Sequence, residues 1–223
     1  MAGPVHTVIP YKAGSPKSRL SPALRPAERK ALADAMLLDV LDAAIGARLG
    51  PVTVLATGKG GLPRLPGRVR VETDPRPLTP AVNRMLERLR RRGWPRGGVA
   101  VLVPDVPLAE PDHLRVAASM PQPVVLAPGR RGGTSLLLAR DRSFRADYHR
   151  GSFRKHLEAA RALGLEVGVL DSFRLAQDVD EPDDLLELLL HGRGRAAGML
   201  RGLGFGVAVR GLHPVLLGKA GKS

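Results

Sequence analysis

Three features of these 223 residues predict an α/β chain with a mostly parallel central sheet flanked by helices. Short β-branched runs alternate with helical periods along most of the length. The run Val99-Ala100-Val101-Leu102-Val103 is apolar throughout, as strands covered on both faces are. Glycine and proline gather between the runs, and a hydrophobic content of 43% suffices for one core.

In chain order, Val5 to Tyr11 is the first strand candidate. Pro26-Ala27-Glu28 opens a helix, since proline suits the first helical position, and Leu32, Met36, Leu37, Val40, Leu41 and Ala44 keep its period to about Gly46. Strands follow at 52–56 and 68–72. Leu78 to Arg92 is amphipathic, with Val82, Met85, Leu86 and Leu89 on one face and Arg84, Arg88, Arg91 and Arg92 on another. The strand at 99–103 runs into Pro104-Asp105-Val106-Pro107-Leu108, and a helix begins near Pro111. Strands at 124–127 and 134–139 flank the turn Pro128-Gly129-Arg130-Arg131-Gly132-Gly133. Phe153 to Leu163 reads as a helix, Leu165 to Leu170 as a strand and Glu181 to His191 as a last helix. From Gly192 onward glycine interrupts the pattern, leaving short strands at 207–209 and 215–217 and a loose basic end over 218–223. The expected organisation is one domain over 1–194 and a glycine-rich basic extension over 195–223.

Composition narrows the chemistry. With no cysteine there are no disulfides, thiolate nucleophiles or cysteine-held metals, and the six histidines lack zinc-like spacing, so any metal must be held by oxygen. No apolar run reaches the roughly 18 residues of a membrane span, and charged or polar residues (His6, Lys12, Lys17, Arg19) break any signal-peptide pattern, which predicts a soluble, cytoplasmic protein without a membrane partner. The net charge of +14 predicts attraction to polyanions. Aromatic residues make up only 3%, too few for the stacking platforms of a single-strand binder, so a solvated basic surface is preferred to a nucleic-acid patch.

Ligands of open α/β sheets collect at the carboxyl ends of the strands, and four segments fall there. Pro10 to Leu20 contains Lys12, Lys17 and Arg19, cations able to surround a triphosphate or simply to form a basic loop; it lacks P-loop spacing. Asp105 ends a buried strand, where a carboxylate needs a partner, a metal or a helix to cap. In Arg130 to Ser135 the glycines Gly132 and Gly133 let a ligand approach Thr134, or serve a hairpin turn. Gly151-Ser152 leads into a helix as an N-cap, an anion site or both, and His156 one turn later reads as satisfied or exposed.

Against the basic balance, six of the 21 acids lie between Asp178 and Glu187. Asp178 and Asp180, two apart, project to one side of an extended backbone and suit Mg²⁺ between them, although acids also cluster at helix starts. Glu181, Asp183 and Asp184 fall in the first turn of a helix with Pro182 near its start, where negative charge complements the dipole.

Together these segments, with Pro10-Tyr11-Lys12, Lys17-Ser18-Arg19-Leu20-Ser21-Pro22, Asp105-Val106-Pro107-Leu108, Gly132-Gly133-Thr134, Gly151-Ser152-Phe153 and Asp178-Val179-Asp180-Glu181-Pro182-Asp183-Asp184-Leu185, resemble the 2-phospho-L-lactate guanylyltransferase family in order from about Val5 to Gly194. The resemblance implies a Rossmann-like nucleotidyltransferase fold and the joining of a phosphorylated three-carbon acid to GTP, with release of diphosphate, in coenzyme F-420 biosynthesis. It implies that Lys12, Lys17 and Arg19 hold phosphates and act in catalysis, and that Asp105, Asp178 and Asp180 bind Mg²⁺. Gly132, Gly133, Thr134, Gly151 and Ser152 would seat the acid's phosphate, and Asn83 lies in a segment on the nucleotide side. Members are often homodimers, and the basic helix around Arg84 to Arg92 is available to face a partner. The chain departs from the family's common residues at Ser135, at Thr79 and near Tyr148-His149, and its tail after Gly194 resembles archaeal members only loosely. Relatives use phosphoenolpyruvate or 3-phosphoglycerate, which keeps both acids as alternatives. A sugar-1-phosphate nucleotidyltransferase is the second enzyme reading, although the loop after the first strand has only Gly14 of that class's glycines. A non-catalytic nucleic-acid binder is the reading from a different class.

Overall fold

In the computed structural model, which describes residues 3–14, 17–58, 60–211 and 213–219, the chain begins with β1 (His6–Tyr11), buried along its whole length. α1 (Pro26–Ala47) starts on Pro26, and the Glu28 carboxylate accepts the Arg25 backbone N–H at 2.8 Å, satisfying a donor at its first turn. β2 (Val52–Ala56), β3 (Val69–Thr73), α2 (Leu78–Arg92), β4 (Val99–Leu102) and α3 (Pro111–Ser119) follow. Then come β5 (Val124–Pro128), β6 (Thr134–Ala139), α4 (Ser152–Ala162) and β7 (Val167–Val169). The last elements are α5 (Phe173–Ala176), α6 (Asp184–His191), α7 (Arg195–Gly202), β8 (Gly206–Arg210) and β9 (His213–Leu217).

The main sheet has the order β3-β2-β1-β4-β6-β5-β7. All neighbours run parallel except β6, which is antiparallel to both β4 and β5. From β1 the chain moves outward to β2 and β3, and from β4 it moves to the opposite half. The strand order therefore reverses between β1 and β4, and a crevice opens beyond their carboxyl ends. On one face α1 packs Leu37, Val40, Leu41 and Ala44 against Ile9, Val54 and Leu102. On the other, α2 sets Val82, Met85, Leu86 and Leu89 against Val8, Val101 and Leu137. The central strands thus have apolar cover on both sides, which is why their apolar runs are uninterrupted. Among the described residues no helix is long and apolar enough to cross a membrane.

Three elements differ from the sequence expectation. The helix expected from Glu181 begins only at Asp184, because the buried Asp184 carboxylate accepts the backbone N–H of Asp180 at 2.9 Å and of Glu181 at 2.8 Å and holds that stretch as a loop. The short α5 carries no periodic signal of its own. After Gly194 the helix α7 departs from the expectation, whereas the short strands expected at 207–209 and 215–217 are present and pair as the β8–β9 hairpin; Ala196, Ala197, Leu200 and Phe205 share a cluster with Leu32 and Met36 of α1. Residues 220–223 of the expected basic end lie outside the described residues, as do Ser15 and Pro16 of the first loop.

One carboxylate of α1 docks this C-terminal segment. Asp39 accepts the backbone N–H of Arg195 at 2.7 Å and of Ala196 at 2.9 Å, capping α7. Gly194 permits the approach: a Cβ there would lie 2.5 Å from Asp39 Cγ. Asp39→Ala, which strips both amides of their acceptor, is expected to destabilise the protein by about 1–3 kcal/mol in urea unfolding.

Candidate active site

Leu20 is fully buried among Leu32, Val179 and Leu185, which anchors the short helical turn Ser18–Leu20 at the end of the first loop. Lys17 heads that turn in the left-handed region, φ 59°, a costly conformation for a side-chain residue. Its Nζ donates to Asp105 Oδ2 at 2.9 Å and to Asp180 Oδ1 at 2.6 Å. Burial alone would lower the Lys17 pKa, but the two carboxylates outweigh it and raise it. Arg19 is exposed and stands farther off, 3.9 Å from Asp180 and 3.8 Å from Glu181.

Asp105 and the acidic run are joined through their backbones as well, the Val179 N–H donating to the Asp105 carbonyl at 2.9 Å. Val179 is sunk in the Leu20 cluster and its neighbours Asp178 and Asp180 stay outside it, Asp180 lining a cavity with Tyr11, Lys17 and Asp105. Asp178 and Asp180 do not behave alike. Burial would raise Asp180, but Lys17, then Arg19 and Arg131, hold it below the usual carboxylate range. Asp178 makes no ion pair among the described residues, and although Arg131 feels its charge, burial first, then the charges of Asp105 and Asp180, push it up to about 6. Its Oδ1 is buried without a hydrogen-bond partner. Among the described residues no three acid or histidine side chains already enclose a point where an ion would sit, and the Lys17 ammonium is the cation between Asp105 and Asp180.

The turn between β5 and β6 reaches this centre through its arginines. Arg130 pairs with Asp184 at 2.7 Å, and Arg131, at φ 57°, pairs with Glu181 at 2.9 Å. Asp184 is therefore a brace, only 2% exposed and receiving two backbone amides and an arginine. Sequence reasoning gave it a dipole role; the missed signal was the adjacent Arg130-Arg131 pair, whose contacts lie some fifty residues away.

Gly132 and Gly151 both have positive φ, 77° and 74°, and a Cβ on Gly132 would stand 4.0 Å from Gly151 Cα, so the two glycine loops abut. Behind them is a buried chain of hydrogen bonds. The Asp147 backbone N–H donates to His156 Nε2 at 2.9 Å, which makes Nε2 the acceptor and places the ring hydrogen on Nδ1. Nδ1–H then donates to Thr134 Oγ1 at 2.9 Å, and the Ser152 hydroxyl donates to the same oxygen at 3.2 Å. Thr134 accepts twice, leaving its own hydroxyl hydrogen to donate to a ligand. His156, fully buried, is lowered by desolvation to about 4 and stays neutral.

A cleft of about 620 Å³ lies beyond β1, β2 and β4, with Lys12 and Asp105 at one end and Leu55, Arg76, Leu78 and Ala81 toward the other. Asn83, expected on the nucleotide side, is occupied elsewhere. Its amide donates to the Ala146 carbonyl at 2.8 Å and accepts the Ala146 N–H at 2.9 Å. Both ends of the amide are engaged with backbone, so it orders residues 146–148 instead of facing the cleft. Thr79 assists by accepting the Tyr148 N–H at 2.8 Å. Two positions that depart from the family's common residues are thus partners.

The family model described as guanylyl transferase CofC like matches residues 5–213. A 2-phospho-L-lactate guanylyltransferase from Halomicrobium mukohataei is 46% identical over 205 residues, covering 92% of this chain and 95% of its own. Solved structures share the fold at low identity. A nucleotidyl transferase from Methanothermobacter thermautotroptrophicus has a TM-score of 0.59 at 19% identity, covering 89% of this chain and 98% of that one. A protein from Mycobacterium tuberculosis, solved as a complex with manganese, has a TM-score of 0.50 at 21% identity, covering 85% and 100%.

The buried imidazole predicts an acid-sensitive fold. The His156 pKa is about 4 when folded against 6.5 ordinarily, so between these values the unfolded chain binds the extra proton. Its contribution is fully present above pH 6.5, is lost as pH falls toward 4, and is constant below. Because the raised Asp178 carboxyl acts in the opposite direction over the same window, the test is the difference: from pH 6.5 to 4 the wild type should lose about 3 kcal/mol of stability in urea unfolding relative to His156→Gln.

Proposed function

This chain belongs to the family of guanylyl transferases like CofC, and from that premise we propose that it joins 2-phospho-L-lactate to GTP, releasing diphosphate and forming lactyl-2-diphospho-5'-guanosine in coenzyme F-420 biosynthesis. The observation that carries the reading is the meeting of Lys17, Asp105 and Asp180 beyond the strand ends, linked through Arg131 to the glycine loop that bears Thr134. In this reading GTP lies in the cleft with its phosphates toward Lys12, Lys17 and Arg19. The acid's phosphate sits against Gly132, Gly133, Thr134, Gly151 and Ser152, where the Thr134 hydroxyl and the amides at the start of α4 supply donors.

A phosphate oxygen of the acid attacks the α-phosphorus of GTP in line. The new P–O bond forms as the bond to the β-phosphate's bridging oxygen breaks, and diphosphate departs. That nucleophile is already ionised near neutral pH, so no general base is needed, in keeping with a His156 held neutral and out of reach. The work of the site is to align two anions and offset their charge.

The donor set fits a divalent cation. Asp178 brings a buried carboxylate oxygen without a partner, beside Asp105 and Asp180, and magnesium needs only one or two carboxylates when waters and phosphates complete its shell. Magnesium held there would neutralise phosphate charge and stabilise the leaving diphosphate. A homodimer belongs to the same proposal. The α2 face bearing Arg84, Arg88, Arg91 and Arg92 is available to face the partner copy, with Arg88 and Arg92 paired to Glu72 and Arg91 to Glu87.

Incubation with GTP and Mg²⁺ should release diphosphate with 2-phospho-L-lactate, tested beside phosphoenolpyruvate and 3-phosphoglycerate; absence of turnover with every acid refutes the reading. Asp178→Asn separates chemistry from folding. It should lower kcat/KM by at least ~100-fold. Since it removes a buried, mutually repelled charge, it should also raise stability by about 1 kcal/mol in urea unfolding. A variant that is both fully active and no more stable contradicts the role.

A further inference from the structure

The cleft has a second end, built by the residues between β3 and α2. There Asp74 is only 3% exposed, and its backbone N–H donates to the Ala56 carbonyl at 2.8 Å, tying the turn to the end of β2. Its carboxylate accepts the Arg76 backbone N–H at 3.2 Å and grips the Arg76 guanidinium side-on, with Nε 2.9 Å from Oδ1 and Nη2 2.8 Å from Oδ2. Pro75 and Pro77 flank Arg76 and fix the local φ. Backbone, prolines and a buried carboxylate together set the direction of this one guanidinium.

The side-on grip uses the Nε hydrogen and one Nη2 hydrogen. It leaves the opposite fork, one hydrogen on Nη1 and one on Nη2, without an acceptor among the described residues. Arg76 lines the cleft beside Leu55, Pro77, Leu78 and Ala81, and its side chain is 39% exposed, so the unpaired fork is open to a ligand there. An apolar slot edged by two parallel N–H donors selects among bases by chemistry. Guanine presents two adjacent acceptors, O6 and N7, and an arginine fork bonds both. Adenine keeps N7 but sets an amino group where O6 would be, so one donor meets another.

We propose that Arg76, held by Asp74, selects GTP over ATP by reading O6 and N7 of guanine. This rests on the cleft being the nucleotide site, and it adds what that reading lacks, a physical basis for choosing guanine. Arg76 is a binding and specificity residue and takes no part in the transfer itself.

The wild-type protein tests this without mutation. With one acid held fixed, ITP, which keeps O6 and N7 and lacks only the 2-amino group, should remain within a few fold of GTP in kcat/KM. 7-Deaza-GTP, which lacks the N7 acceptor, should fall by about 10-fold, and ATP by about 100-fold or more. Arg76→Lys keeps a cation beside Asp74 but loses the fork. It should lower kcat/KM for GTP by about 10- to 100-fold while leaving ATP unchanged, and the 7-deaza penalty should vanish. Full activity of the wild type with 7-deaza-GTP, or an unchanged GTP-to-ATP ratio in Arg76→Lys, overturns the assignment. If the wild type turns over no nucleotide, guanylyl transfer is the reading that fails. Calorimetric binding of GTP, 7-deaza-GTP and ATP then still decides Arg76, since equal affinities overturn it and the expected order supports it.

Discussion

Lys17 stands between Asp105 and Asp180, and much of the site's arrangement depends on that bridge. One carboxylate follows β4, the other lies 75 residues later beside α6, and the ammonium comes from the loop after β1. Brought together without a cation, the two acids and the nearby Asp178 would repel one another in a partly buried crevice. The bridge offsets that repulsion for two of the three and leaves Asp178 as the carboxylate with a raised pKa and an unpartnered oxygen. Removing the lysine would leave the carboxylates uncompensated, a larger loss than that of an exposed ion pair.

Topology decides where the bridge forms. Because the strand order reverses between β1 and β4, the loops that follow them diverge, and a crevice remains between. The antiparallel β6 has a further effect. Reversing that strand brings the start of β6, with Thr134, to the same edge as the ends of β4 and β5. An all-parallel sheet would place that end on the far side, away from Asp105. The left-handed φ of Lys17 and Arg131 lies at this same edge, so backbone strain accompanies the residues that tie the loops together.

Behind the exposed groups is a layer of backbone-fixing side chains. Asn83 and Thr79 hold residues 146–148, the amide of Asp147 sets the His156 tautomer, and His156 orients Thr134. Asp184 and Arg130 do comparable work for the acidic loop. The +14 charge is distributed in the same way. Part of it is engaged in internal pairs, such as those of Arg88, Arg130 and Arg131, and Lys12 and Arg76 line the cleft.

The alternation of elements was legible in residue order, because buried parallel strands and two-faced helices write their periods directly into it. So were the chemical types present: oxygen ligands without cysteine, cations after the first strand, and an aspartate ending the strand at 99–103. Which of these groups meet was settled only by folding. Neither the Lys17 bridge across 88 and 163 residues, the reversal of β6, nor the engagement of Asn83 with Ala146 has any local signature. The late start of α6 is of the same kind, since Asp184 is drawn to loop amides and Arg130 and not to a helix dipole alone. Periodicity reports which face a residue is buried on, whereas hydrogen bonds and charge pairs depend on positions that only the folded chain brings within reach.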